Sequence, residues 1–151
     1  MSIRNRLEDA ELLWKSGRLE GAFVLALIAV AATSRRVFPY PIGDQRAFED
    51  FLDQGLFRRM SAEFRGELHQ MRHIFYKWFR CNLIHEGELP LDVEIIPDPK
   101  PGTLSVRAGG APVYILQVSQ GWFRELANTV IHAEVNRDLF PGSGTISTLK
   151  N

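Results

Sequence analysis

The residues best suited to chemistry sit in "YKWFRCNLIHEGEL", Tyr76 to Leu89, where Arg80 and His85 stand five positions apart. An arginine can grip a phosphate through two parallel N–H bonds, and a histidine can exchange a proton near neutral pH. Such a pair suits a phosphodiester. Upstream, His73, Tyr76 and Arg80 fall within about 40° of the His69 direction on a regular helix, opposite an apolar stripe. Arg72 and Lys77 on the same helix, with Arg35 and Arg36 from an earlier one, could complete a local basic track. The bland alternative is a polar surface or a subunit interface, with a capping arginine and a packed histidine.

Geometry limits the functional reading. Five residues of regular helix turn through about 140°, which points Arg80 and His85 apart. Convergence needs a helix break between Asn82 and Gly87, or a second chain. Gly87 can end a helix and Pro90 prevents its continuation. Asn82 on a regular helix would face the core, where an amide needs partners.

Other constellations are weaker. His69 and His73 have the i, i+4 spacing of metal ligands, but no third ligand accompanies them, so no metal site is assigned. His132 with Glu134 reads as packing. Gly109-Gly110 lacks the strand, glycine fingerprint and helix order of a dinucleotide loop and reads as a hairpin turn, so no cofactor is expected. Cys81 is the sole cysteine, which excludes an internal disulfide and fits a reducing compartment.

The positioning elements follow from patterning. The 151 residues suit one domain, 1–151, and the 18 basic and 18 acidic side chains cancel, leaving no global field for nucleic acid or membrane. Ile3, Leu7, Ala10 and Trp14 predict an amphipathic helix over residues 2–16, with Ser2 as N-cap. An almost wholly apolar helix follows over 19–36; its run of about 12 apolar residues is too short for a bilayer, so no membrane partner and a cytoplasmic location are expected. "FPYPIGD" breaks the chain, "QRAFEDFLDQG" predicts a short helix, and Phe64, Leu68, Met71, Phe75, Trp78 and Phe79 predict a long one over 61–82. The runs "DVEII", "TLSVRA" and "VYILQVS" predict a three-stranded antiparallel meander, an insert over about 91–119. Ser119 is then expected to cap a last helix over 121–139, before a loose tail from about 141 to 151. The fold class is mainly α: a four- to five-helix up-and-down bundle with a small β insert before the last helix.

Arg80 and His85, as "RCNLIH" late in a long helix of such a bundle, resemble the Arg-x4-6-His motif of the HEPN superfamily over about 130 residues. The β insert is outside the common core of that family. The resemblance implies a homodimer in which the motifs of two chains face each other around an RNA or nucleotide. Many members are metal-independent endoribonucleases, in which His85 would be the acid or base, Arg80 the phosphate clamp and Asn82 an orienting group. Others are binding or accessory modules beside a nucleotidyltransferase or antitoxin partner. Active members carry a polar residue directly after the arginine, where this chain has Cys81. The favoured expectation is a groove around Arg80 and His85 that binds RNA or nucleotide. Ribonuclease activity and a purely structural role are the alternatives.

Overall fold

The structure is a computed structural model that describes residues 2–109 and 115–142. Six helices and two small sheets make it mainly helical among these residues. The elements are α1 (Ser2–Lys15), α2 (Leu19–Val37), α3 (Asp44–Phe51), α4 (Gly55–Arg59), β1 (Ser61–Phe64), β2 (Glu67–Gln70), α5 (residues 71–85), β3 (Val93–Ile96), β4 (Val106–Arg107), β5 (Leu116–Ser119) and α6 (Trp122–Ile131). A 3-10 turn, Glu134–Asn136, follows α6. No helix among the described residues is long and apolar enough to cross a membrane.

The chain gathers into two compact units, one built from residues 1–51 and 123–151, the other Leu52–Trp122. In the first, α2 is buried along most of its length through Ala22, Phe23, Ala26, Leu27, Ala29 and Val30, as its apolar run predicts. Trp14 of α1 stacks on Phe123 of α6 at 4.6 Å, and Phe23 meets the same ring edge-on. Asn136 is fully buried here: its amide donates to Thr33 Oγ1 and to the Val130 carbonyl, and its oxygen accepts from Arg36.

The second unit holds the candidate chemistry. Its core is aromatic: Phe57 of α4, Phe75 of α5 and Trp122 pack with ring centroids 5.4–5.9 Å apart. The Trp122 indole N–H donates to the Ser105 carbonyl at 3.1 Å.

Four sequence expectations need correction. First, residues 61–70 form an antiparallel hairpin, not the first half of a helix. Arg65 (φ +52) and Gly66 (φ +85) make a two-residue turn whose positive φ values match the twist of paired strands. Ala62 and Phe64 alternate inward, while Leu68, assigned above to the inner stripe, is 75% exposed. Secondly, β3, β4 and β5 are not an antiparallel meander. Their order is β3-β5-β4, with β5 parallel to β3 and antiparallel to β4. The apolar β5, buried at Leu116, Val118 and Ser119, takes the centre, and the two-residue, partly exposed β4 takes the edge.

Thirdly, α6 stops at Ile131 and does not reach Leu139; the Val130 carbonyl near its end accepts from the Ala133 N–H at 3.3 Å and from the Asn136 amide at 3.0 Å. Fourthly, the Ser119 hydroxyl accepts from the Ser105 N–H and does not cap α6. Just before the helix, the Gly121 N–H donates to the Asp98 carboxylate at 2.8 Å. A Cβ at Gly121 would lie 2.8 Å from both Asp98 carboxylate oxygens and from Leu104, so a larger residue would have to push these side chains aside. The Ser2 side chain, Gly110 in the expected turn, the start of the "VYILQVS" strand and most of the expected loose tail lie outside the described residues.

Candidate functional site

Helix α5 positions the motif. It is α-helical over Met71–Ile74, widens to i→i+5 geometry over Phe75–Cys81, and returns to α geometry over Asn82–His85. The wide stretch coincides with the run of large aromatics, of which Phe75, Trp78 and Phe79 are buried. Such insertions recur at functional sites. The helix ends only after His85, where Gly87 (φ +76) turns the chain, so the break falls beyond both motif residues and not between them.

Arg80 is half-buried. Its guanidinium carbon lies 5.3 Å from the Tyr76 ring centre, a cation–π contact, and its Nη1 lies 3.9 Å from Cys81 Sγ, a weak donor contact. Its Nε is buried and has no hydrogen-bond partner. No carboxylate pairs with it among the described residues. His85 is exposed on the last turn, where a cation suits the helix dipole. Asn82 is half-buried, and its carbonyl accepts the Glu86 N–H at 2.8 Å.

The other expected binding residues divide. Tyr76 and Lys77 share α5 with Arg80; Lys77 lies 5.1 Å over the Trp78 ring. Arg72 donates to Gln70 at 2.7 Å and lies 4.0 Å from Asp53, whose carboxyl is held below its usual range chiefly by its bond from Arg58. Arg35 and Arg36 belong to the other unit and are engaged there. Arg35 ties Asp44 and the Phe38 and Ile42 carbonyls, so it fastens the "FPYPIGD" loop. Arg36 holds Asn136 and Asp138.

His69 sits on β2, yet it still meets His73 because β2 runs directly into α5. The two rings stack at 5.1 Å and both contact Trp78, at 4.8 and 5.5 Å, with Phe64 edge-on to the same indole. Burial, then the neighbouring His73 and Lys77, lower the His69 pKa against the opposing pull of Glu67. Folding therefore favours the neutral form of His69. Stability from this site is complete above the unfolded histidine value, about 6.5, and falls as pH drops below it. The urea midpoint of the wild type should fall between pH 7 and 5.5, and His69→Gln should flatten that slope. No cluster of three or more metal-ligating side chains exists among the described residues.

A cleft of about 470 Å³ opens elsewhere in the same unit, walled by Phe64, Arg65, Asp92, Ile115 and Leu116. Arg65 clasps Asp92 through two bonds of 2.8 and 2.9 Å, which lower the Asp92 pKa and raise that of Arg65. Sequence reasoning missed this feature. Its signal was "FRGE", a glycine interrupting two alternating runs. No family model, curated protein or solved structure matches the chain.

Proposed function

We propose that two copies of the chain form a HEPN-like binding module in which Arg80 of one and His85 of the other hold a phosphate of RNA or a nucleotide. Arg80 carries the reading. It has no carboxylate partner among the described residues and its guanidinium rests on Tyr76, so its positive charge is uncompensated and its plane oriented. Tyr76 adds a ring beside which a base could stack. The unbroken helix supplies the second argument. With α geometry from Asn82 to His85, the two side chains still diverge by more than about 100° in one chain, so a shared site requires a partner copy. The resemblance narrows to the motif helix, since the β1–β2 hairpin lies where more of that helix was expected.

Binding of a labelled single-stranded RNA, followed by fluorescence anisotropy, tests this. Arg80→Ala should weaken binding about tenfold or more, the scale of lost charge-assisted hydrogen bonds, and leave the unfolding midpoint nearly unchanged. Wild-type affinity in both Arg80→Ala and His85→Ala would sink the reading. Cleavage of that RNA in EDTA by wild type but not by His85→Ala would favour the ribonuclease. The exposed His85 is open to proton exchange with solvent, while Cys81, beside Arg80, stands where active members have a polar group.

A further inference from the structure

We infer that the stacked His69 and His73 rings form an acid-operated latch: uncharged, they close the β1–β2 hairpin onto α5, and charged, they release it. Hairpin and helix meet at these rings. The imidazoles lie 5.1 Å apart with planes 24° from parallel, and each packs against Trp78, which is 5% exposed. His69 shares the inner face of the hairpin with Ala62, its partner across the strands, and with Phe64, whose ring meets Trp78 edge-on at 4.7 Å. Two strands alone are barely stable in water, so this hairpin depends on its contact with the helix. Neutral imidazoles stack there without penalty, whereas two imidazolium ions at this separation repel each other.

The surroundings of His69 give its charge little relief. His73 and Lys77 of α5 oppose its proton, and Glu67 of β2 favours it. The Glu67 carboxylate lies 3.7 Å from His69 Nε2 but is itself 79% exposed, so water weakens its attraction. Across the strands, Ala62 sets no charge opposite His69. Beside Phe64, the Arg65 guanidinium is matched by Asp92, and Arg72, next to His73 in the chain, lies 4.0 Å from Asp53. The His69 side chain is only 14% exposed, and this burial disfavours the charged ring in the same direction. Release therefore begins as pH falls below the ordinary histidine value, about 6.5. Because β2 runs straight into α5, opening would also loosen the first turn of the helix that carries Arg80. The latch stands whether or not Arg80 binds RNA.

Hydrogen exchange of the full chain, followed by NMR at two pH values, about 7.5 and about 5, tests this. After correction for intrinsic rates, the amides of residues 61–70 and that of Met71, which donates to the Met60 carbonyl, should lose protection at the lower pH. The expected loss is about tenfold, the scale of one like-charge pair near the surface, while the α2 amides keep their protection. His69→Gln and His73→Gln each remove one of the two charges and should keep the hairpin protected in acid. His132→Gln, at an exposed histidine of the other unit, should leave the acid loss in place. Unchanged hairpin protection in the wild type, an equal loss along α2, or an acid loss that survives in His69→Gln or in His73→Gln would overturn the proposal.

Discussion

Trp122→Ala is expected to remove about 3–5 kcal/mol of stability, the usual cost of deleting a large buried aromatic. Trp122 is fully buried. It packs on Phe57 and Phe75, and its indole N–H reaches the Ser105 carbonyl. Alanine would leave a cavity against both rings, and close packing prevents their collapse into it. The Ser105 carbonyl would keep its bond from the Ser119 N–H, so the loss is mainly of packing. Trp122→Phe retains most of the apolar contact and should cost less, about 1–2 kcal/mol. Urea unfolding followed by circular dichroism gives both values. A loss below about 1 kcal/mol for alanine would mean that the aromatic core is not as described.

Asn136→Ala should cost about 2–4 kcal/mol, because it removes three hydrogen bonds of a fully buried side chain at once and leaves a cavity in their place. The Asn136 amide donates to Thr33 Oγ1 at 2.9 Å and to the Val130 carbonyl at 3.0 Å, and its oxygen accepts from Arg36 at 3.0 Å. Thr33→Val removes the hydroxyl that accepts from Asn136 and donates to the Ala29 carbonyl, and should cost about 1–2 kcal/mol. The double variant should cost less than the sum of the two, since the residues share a bond. Additive losses would show that the amide–hydroxyl bond contributes nothing.

Periodicity made the helices of the first unit legible. Ile3, Leu7 and Ala10 repeat at helical spacing, and the run from Ala22 to Ala32 is apolar enough to be buried on several sides. The same reasoning failed at residues 61–70. Phe64 and Met71 fit a helical stripe, but Ala62 and Phe64 also fit strand alternation, and Gly66 should have decided between them. Asn136 was invisible because its partners Thr33 and Val130 lie on two other helices, information that no local window contains. The mixed order of β3, β5 and β4 was hidden for the same reason. Arg80 and His85 were legible as residue types, and the condition for their convergence was legible as an angle. The Tyr76–Arg80 contact followed from the i, i+4 spacing, whereas the Arg65–Asp92 clasp spans two loops and had no local signature.

The central claim is that Arg80 and His85 meet across a two-fold axis, and subunit mixing tests it most directly. Arg80→Ala and His85→Ala chains are each expected to lose RNA binding. Unfolded together and refolded at equal concentration, they should regain about a quarter of wild-type binding capacity, since half the dimers are mixed and each mixed dimer rebuilds one of two sites. Recovery to that level supports a shared site, and no recovery, or a monomer by sedimentation, contradicts it.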